Sequence, residues 1–540
     1  MNKRSEKKRK TKRAPHTQQG GKASTSASRA QRKPATSEHT EFVHATCDSR
    51  SLCPVSHKCG ACTLIDVPYS EQLIQKQQFV AELFDGIAPE YAIVEPVLGM
   101  DEPYHYRSKV TSPFAPGKKL PSRGIHSRGD EGVSRGDKDA LRKGLACEQD
   151  SHKCNVDEQA SYKCNVDERA SRKKTKKGTQ APAKREILTG MYAAHTHKLI
   201  PTDECLLENT QAKAVILAIR KLMYRYDIAP YNEDTNAGFM RHAVVRVGHK
   251  SGEVLVTLVT NARTFPSSRS FCRELVKLCP FITTVVQNVN LRQTNVILGT
   301  EEHTLYGPGF ILDTLCDLSF RISSSSFYQV NSTQTEVLYR SAIKLAQLTG
   351  KETVIDAYCG TGTIGLVAAK NGAARVIGVD SVASAIRDAR QNAAHNGVEN
   401  AEFIAADAGD FMRKLASGAK GSTQELAASV KCSTQELSTG ARFSTRELTA
   451  DATTSNTLNP ARTVLFMDPP RAGASKDFLD AVCALAPARI VYISCNPQTQ
   501  ARDAAYLART GYTIQRIQPV DMFPHTDHVE TVVLMIKVEG

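Results

Sequence analysis

The 540-residue chain lacks several features that mark whole classes of protein. No apolar run approaches the roughly 18 residues that a transmembrane helix needs. The basic N-terminus has no apolar segment behind it, as a secretory leader would have. These absences predict a cytoplasmic protein with no membrane partner. Tryptophan is also absent, and this carries no functional information.

A disulfide framework is also excluded. The 15 cysteines are odd in number and spread along the chain. In a reducing compartment such thiols stay unpaired, so some of them are expected to bind metal or to act in catalysis.

The excess of positive charge is local. The formal net charge is +14, and residues 1–40 carry twelve Lys/Arg against two acids. Residues 122–186 carry sixteen against eleven, so the remainder is close to neutral. A basic tail and a basic insert favour a polyanionic partner, most of all nucleic acid. A purely solubilising role fits the tail alone equally well.

The chain is expected to divide into four parts and two inserts. Residues 122–186 contain SHKCNVDEQA followed at once by SYKCNVDERA, and residues 416–460 repeat with period eleven. Both are interpreted as low-complexity insertions. The predicted parts are a disordered basic tail (1–45), a cysteine segment (46–95), a central β-rich domain (96–325) with a helix at 209–226, and a domain of alternating strands and helices (326–540).

The alternation after residue 326 predicts a mostly parallel sheet with helices on both faces. TVIDAYC, ARVIGVD, AEFIAAD, TVLFMD and ARIVYISC are strand-like. SVASAIRDARQNAAHNG is helical, with Ser381 as the expected N-cap and Gly397 past its end. The C-terminal strand TVVLMIKV is expected to pair at the sheet edge.

Residues 360–365 form G-x-G-x-x-G between a strand and a helix. The glycines allow a tight turn and close approach of a ligand, a pattern that fits NAD as well as S-adenosylmethionine. Acids stand at or near the ends of successive strands, at Asp356, Asp380, Asp407 and Asp468. They suit a cationic methionine-bearing nucleoside and would repel a pyrophosphate. Simple helix capping is the alternative, above all for Asp407.

Cys495 follows a strand, where ligands and chemistry gather in open parallel sheets. A following helix N-terminus is expected to lower its pKa and favour the thiolate; an ordinary buried cysteine is the alternative. Carbon 5 of uracil is a poor nucleophile until a thiolate adds to carbon 6, and a base must then remove the carbon-5 proton. Glu530, which opens the last strand, offers that base.

Six motifs follow one another between residues 327 and 530: FYQVN, DAYCGTGTIG, GVD, MDPPRAG, VYISCNP and PVDMFPHTDHVE. In this order they resemble the RNA uracil-C5 methyltransferase family, in particular its iron–sulfur-bearing 23S rRNA branch. The resemblance implies an α/β fold, with a Rossmann-like class I methyltransferase domain beside a β-rich α+β domain. It also implies S-adenosylmethionine as methyl donor and RNA as substrate. No obligate protein partner is inferred, and a monomer is expected.

The resemblance also assigns roles to residues. Cys495 is the implied nucleophile and Glu530 the implied base. The donor-binding positions correspond to Gln329, Tyr358, Thr363, Asp380, Asp407 and Asp468. Many members carry Glu where this chain has Asp380, and the shorter carboxylate should still reach a ribose. An ordinary polar role for Gln329 and a core role for Tyr358 are the alternatives.

Cys53, Cys59 and Cys62 have the spacing of metal ligands but supply only three thiolates, whereas tetrahedral iron–sulfur or zinc ligation takes four. Ligand type alone leaves zinc open. The resemblance implies a [4Fe–4S] cluster whose fourth ligand lies in a histidine-strand-cysteine context. HTHKLIPTDEC matches that context and selects Cys205 over the cysteines of the 122–186 insert. The role expected for the cluster is structural or RNA-contacting, since methyl transfer needs no electrons.

The sequence therefore predicts methyl transfer to carbon 5 of a uridine in 23S rRNA. A tRNA T-loop uridine is one alternative. Cytosine-C5 methylation is disfavoured because MDPPRAG lacks the second cysteine of those enzymes. A catalytically silent iron–sulfur RNA-binding or assembly factor is disfavoured by the presence of both Cys495 and Glu530. RNA specificity is expected from the central domain, where residues 238–248 resemble a family motif with Arg241 and His242.

Overall fold

The computed structural model describes residues 51–120, 185–193, 196–417 and 458–538. The predicted tail 1–45 and almost all of the inserts 122–186 and 416–460 lie outside the described residues. No helix in the described ranges is long and apolar enough to cross a membrane.

The first half of the chain builds a mainly antiparallel sheet from most of its strands, and two of its helices pack on that sheet. Its helices are α1 (Ser56–Cys59), α2 (Tyr69–Phe84), α3 (Thr210–Arg225) and α4 (Ser268–Leu278). Its strands are β1 (Ile93–Val94), β2 (Lys109–Lys119), β3 (Arg185–Tyr192), β4 (Leu199–Pro201), β5 (Met240–Val247), β6 (Val254–Thr260), β7 (Ile282–Val289), β8 (Glu301–Tyr306), β9 (Phe310–Leu315) and β10 (Leu318–Ser323). Seven of them form a sheet in the order β4-β3-β2-β5-β6-β7-β8, in which only the β6–β7 pair is parallel.

The predicted helix at 209–226 is α3. The Asn209 side chain accepts hydrogen bonds from the backbone N–H groups of Gln211 and Ala212, which satisfies two donors at the first turn. Apolar residues at helical spacing then bury one face against β5, including Ile216 and Ile219.

The second half alternates strands and helices. Its helices are α5 (Ser332–Ala346), α6 (Thr363–Lys370), α7 (Ala383–His395), α8 (Ala408–Ala416), α9 (Lys476–Leu485) and α10 (Pro497–Arg509). Its strands are β11 (Thr353–Ala357), β12 (Arg375–Asp380), β13 (Ala401–Ala405), β14 (Thr463–Met467), β15 (Arg489–Ser494), β16 (Tyr512–Val520) and β17 (Glu530–Lys537). They form a sheet with β1 in the order β1-β16-β17-β15-β14-β11-β12-β13.

Strands β11 to β15 are mutually parallel, as predicted. Every residue of β14 is buried, which is typical of a parallel strand covered on both faces. Helices α5, α6 and α7 and the β9–β10 hairpin pack on one face of this sheet. Helices α2, α9 and α10 pack on the other, so the cysteine segment contributes a helix to the core of the second half.

Two local predictions are wrong. Strand β17 lies inside the sheet between β15 and β16, because the unpredicted strand β16 and the short β1 extend the sheet beyond it. Ser381 is not the N-cap of α7; the helix begins at Ala383 with Val382 at the cap position. The Asp380 carboxylate accepts the backbone N–H of Val382 at 2.8 Å, and Ser381 lies at the edge of a cavity instead.

Candidate active site

A cavity of about 740 Å³ opens at the carboxyl ends of the parallel strands. Strands β11, β12, β14 and β15 each deliver one predicted site residue to it, because the ends of parallel strands meet at one edge of a sheet. The loop before α5 and the start of β17 deliver two more. The predicted residues that line the cavity are Gln329, Tyr358, Asp380, Asp468, Cys495 and Glu530.

The turn after β11 is built by its glycines. Gly360 donates its N–H to the Asp380 carboxylate at 3.0 Å, which joins the ends of β11 and β12. Gly362 has φ +79°, and a Cβ there would lie 2.7 Å from the Phe403 ring. Tyr358 has φ +65°, a conformation that L-residues rarely adopt and that concentrates at functional sites. The backbone of this turn therefore lies against the cavity, where a ligand can approach it closely.

Asp380 and Asp468 place two carboxyl groups in the lining of the cavity. The Asp380 carboxylate accepts two backbone hydrogen bonds, from Gly360 and Val382, and each of its oxygens retains a further lone pair. Burial raises the pKa of Asp468 to about 7. A cationic ligand would restore the charged form of Asp468, because an opposite charge nearby favours ionisation.

The predicted thiolate of Cys495 is not favoured by its surroundings alone. Burial, Glu530 and Asp468 raise the pKa of the Cys495 thiol, while the charge of Arg471 and its hydrogen bond lower it. The net direction is therefore opposite to the expected lowering, because burial and two carboxylates raise the pKa of Cys495. Arg471 and a bound cation are the groups that favour the thiolate.

Glu530 is a buried carboxyl group of the cavity with a strongly raised pKa. The residue is 4% exposed. Burial and the neighbouring Asp468 raise the pKa of Glu530 to about 8. A carboxylate with a pKa near the operating pH is well suited to accept a proton from carbon.

Three other predicted positions lie outside the cavity lining. Thr363 begins α6, and its hydroxyl is 3.0 Å from that of Tyr339. Asp407 caps α8 by accepting the N–H of Asp410, which is the alternative foreseen for it. Asp356 is buried beneath the glycine turn and accepts the N–H of Gly365 at 2.8 Å. Its role in this structure is to anchor the turn.

The sequence reasoning missed two residues, although both lie in the quoted motifs. Phe327 lines the cavity with 69% of its surface exposed, which leaves an aromatic face free for a ligand. Arg471 also lines it and hydrogen-bonds to His528 at 3.2 Å. Arginine beside the motif's two prolines was the available signal for a group that supports the thiol.

The four predicted ligand cysteines come together elsewhere. Cys53, Cys59, Cys62 and Cys205 line one small cavity, which also includes Arg107. Across the described ranges, however, no group of three or more His, Cys, Asp or Glu side chains is arranged to hold a metal ion. The donor set of four thiols around one mostly apolar cavity still fits a tetrahedral iron–sulfur or zinc site in chemistry.

The cysteine segment is tied to the C-terminal loop that leads to Glu530. The N–H of Leu64 donates to the carbonyl of His525 at 3.0 Å. Lys76 on α2 forms a fully buried ion pair with Asp521 at 2.7 Å, and its ammonium also donates to the carbonyl of Phe523. The loop that leads to Glu530 therefore rests on the segment that carries three of the cysteines.

Comparison with known proteins places the chain among methyltransferases. Residues 348–420 match a general methyltransferase domain, and residues 429–538 match the family described as tRNA (Uracil-5-)-methyltransferase. A protein of Clostridium acetobutylicum described as an uncharacterized RNA methyltransferase is 32% identical over 491 residues, or 90% of this chain and 84% of the relative. One of Halalkalibacterium halodurans with the same description is 33% identical over 485 residues, or 89% and 82%.

A solved structure shares the fold. The Pyrococcus abyssi tRNA (uracil-54, C5)-methyltransferase in complex with S-adenosyl-L-homocysteine matches 88% of this chain and 86% of its own, with a TM-score of 0.56 and 23% identity. Fold and relatives together define an S-adenosylmethionine-dependent RNA methyltransferase. The chain belongs, more narrowly, to the RNA uracil-C5 methyltransferase family. This confirms the predicted family and fold class, while the iron–sulfur branch stays a prediction.

Proposed function

We propose that this methyltransferase modifies carbon 5 of a uridine in 23S rRNA through a covalent bond between Cys495 and carbon 6 of the base. The observation that carries the proposal is the single cavity that Cys495, Glu530 and Asp468 line together. A thiol, a buried carboxyl group of raised pKa, and an aspartate that a bound cation would ionise meet in one space.

S-Adenosylmethionine supplies an electrophilic methyl group on a sulfonium cation. Asp380 accepts hydrogen bonds from the ribose hydroxyls, and Gln329 and Tyr358 bound the rest of the donor space. Asp468 faces positive charge when the donor is bound, which favours its ionised form. The same cation offsets the two carboxylates that raise the pKa of the Cys495 thiol.

Cys495 opens the reaction as a thiolate that adds to carbon 6. The electron pair of the carbon 5–carbon 6 double bond moves to an enolate over carbon 5 and oxygen 4. Carbon 5 then takes the methyl group, and the electrons of the broken bond remain on the departing thioether sulfur. Arg471 stabilises the thiolate before addition. Phe327 offers a stacking surface to the flipped uracil.

Glu530 closes the reaction. Its carboxylate removes the proton from the methylated carbon 5, and that electron pair re-forms the double bond to carbon 6. The bond between carbon 6 and Cys495 breaks, which returns the thiolate and leaves the proton on Glu530. Burial next to Asp468 makes Glu530 a stronger base than an ordinary carboxylate.

The four-cysteine cavity supports a [4Fe–4S] cluster as a further component of the proposal. Cys53, Cys59, Cys62 and Cys205 would hold it. Three of these lie on the segment that contacts the loop leading to Glu530, and the fourth precedes α3. The cluster would supply a structural tie between distant segments, because no step above requires an electron.

The experiment compares two RNAs with radiolabelled S-adenosylmethionine. Protein-free 23S rRNA should accept label at a uridine, with 5-methyluridine as the product in nucleoside mass spectrometry. A tRNA T-loop uridine is the second candidate, since the matched family and the fold neighbour both have tRNA in their descriptions. Label in tRNA alone would overturn the rRNA assignment and leave the chemistry intact.

A further inference from the structure

A second cavity, of about 630 Å³, opens in the central sheet and shares no lining residue with the methyl-transfer cavity. Its size falls in the range of small-ligand sites. The residues that line it combine aromatic, cationic and carboxylate side chains, and the argument uses Tyr192, His197, Glu233, Arg241 and His242. The proposed methyl-transfer mechanism uses none of them.

A β-bulge brings two consecutive polar residues to this cavity. Neighbouring residues of a strand normally face opposite sides of the sheet. In β5, however, Met240 pairs with Thr260 and His242 pairs with Val259, so Arg241 is the extra residue. Met240 therefore stays in the hydrophobic core while Arg241 and His242 both line the cavity. Bulges of this kind re-aim side chains and are frequent next to functional sites.

The Arg241 guanidinium is fixed by several contacts, but one of its N–H groups has no acceptor within the described ranges. One guanidinium nitrogen donates to the carbonyls of Asn290 and Arg292 at 3.0 and 2.6 Å. The group lies 4.4 Å above the Tyr231 ring, and its other terminal nitrogen is 3.8 Å from the Glu233 carboxylate. Among the described residues, nothing accepts a hydrogen bond from its buried Nε. The side chain is rigid and still has donor capacity.

His242 is buried beside it and lacks a partner. Within the described part of the chain, its buried Nδ1 makes no hydrogen bond. Burial and the charge of Arg241 lower the pKa of His242 to about 4, so the ring is neutral at physiological pH. An unpaired buried polar atom is costly, and a ligand that hydrogen-bonds to it would remove that cost.

The rim of the cavity offers stacking surfaces. The rings of Tyr192 and His197 have centroids 6.3 Å apart and are tilted by 58°. Aromatic side chains of this kind bind unstacked nucleic-acid bases. Strand β5 also connects this cavity to the methyl-transfer site. Arg246 lies four residues, or about 13 Å, along β5 from His242. It donates a hydrogen bond to the carbonyl of Ser326, which lines the methyl-transfer cavity.

We propose that this second cavity binds one unpaired base of the substrate RNA, other than the methylated uridine. The base presents a carbonyl and an amino group on one edge, as guanine and cytosine do: Arg241 donates to the carbonyl and Glu233 accepts from the amino group. Tyr192 stacks on its face, and the ring of His197 lies tilted beside that of Tyr192. The inference rests on the proposed function only in taking RNA as the bound molecule.

The test measures binding to two ten-nucleotide RNAs, oligocytidylate and oligouridylate, with S-adenosylhomocysteine present and at about 0.2 M salt, where phosphate contacts are weakened. The two probes have equal backbone charge. Tyr192→Leu should weaken binding of both probes at least about fivefold, the lower end of the stacking effect. Glu233→Gln should weaken binding of oligocytidylate more than that of oligouridylate.

The matched control is Tyr306→Leu, which removes an exposed tyrosine from β8 at the opposite edge of the same sheet. It should leave both affinities unchanged, and unchanged binding of S-adenosylhomocysteine shows that each variant is folded. Equal affinities for Tyr192→Leu and Tyr306→Leu would overturn the proposal. An equal effect of Glu233→Gln on both probes would overturn the base preference.

A second measurement needs no variant. Oligocytidylate that carries 5-iodocytidine should photocross-link to Tyr192 or His197 in the wild-type protein, as read by peptide mass spectrometry. Cross-links confined to the methyl-transfer cavity would refute a second base site. Both measurements report binding, so they fail or succeed independently of whether 23S rRNA becomes methylated.

Discussion

Replacing Glu530 by glutamine should trap the enzyme on its RNA. The amide keeps the shape of the side chain but cannot accept the carbon-5 proton. Addition of Cys495 and methyl transfer still proceed, because neither step needs this base. Elimination then stalls, and Cys495 remains bonded to carbon 6 of an already methylated uracil.

The size of the effect follows from the environment of Glu530. Burial and Asp468 raise its pKa from 4.5 to about 8, so the carboxylate holds a proton roughly three thousand times more strongly than an ordinary one. General bases contribute about 10²–10⁴-fold to the steps that they assist. Release of methylated RNA should therefore slow by about a thousandfold, which corresponds to about 4 kcal/mol.

The assay is denaturing gel electrophoresis of enzyme incubated with labelled RNA. A shifted band should form with Glu530→Gln only when S-adenosylmethionine is present, and should vanish in the Cys495→Ala, Glu530→Gln double variant. Glu399→Gln, the same change at an exposed position, serves as the control and should turn over normally. Normal turnover of Glu530→Gln, or inactivity with no adduct, would refute the assigned role.

Three further outcomes are expected. In wild-type single-turnover experiments, release of the covalent adduct should slow as pH falls from 9 to 6, because only deprotonated Glu530, of pKa about 8, accepts the proton; a pH-independent release rate would contradict this. Iron analysis and visible absorption should show loss of the cluster in Cys205→Ser and Cys59→Ser but not in Cys154→Ser; the reverse pattern would disprove the fourth-ligand assignment. Replacing residues 418–457 with a short linker should preserve methylation, because the segment lies between α8 and β14, whereas the described residues that line the cavity lie elsewhere in the chain. If the deletion protein folds and binds the donor but is inactive, the insert acts in catalysis.

Much of the site was predictable because its chemistry lies at strand ends. Tyr358, Asp380, Asp468 and Cys495 each come at the end of a strand that the local sequence identifies, and parallel pairing brings these ends to one edge. Local patterns also foresaw the capping role of Asp407.

What the sequence could not provide depends on long-range packing. The position of β17 between β15 and β16 is set by pairing between distant segments, which no local pattern encodes. The direction of the Cys495 pKa depends on burial and on two carboxylates brought from other strands. The bulge at Arg241 depends on how β5 pairs with β6, so the motif at residues 238–248 pointed to Arg241 and His242 but did not reveal the second cavity.

The most direct test of the central claim is the product formed by wild-type enzyme and by Cys495→Ala on protein-free 23S rRNA. Nucleoside mass spectrometry should find 5-methyluridine with the wild type and none with Cys495→Ala, while S-adenosylhomocysteine binds both proteins with similar affinity. Retained methylation by Cys495→Ala, or a methyl group at any atom other than carbon 5 of uracil, would contradict the account.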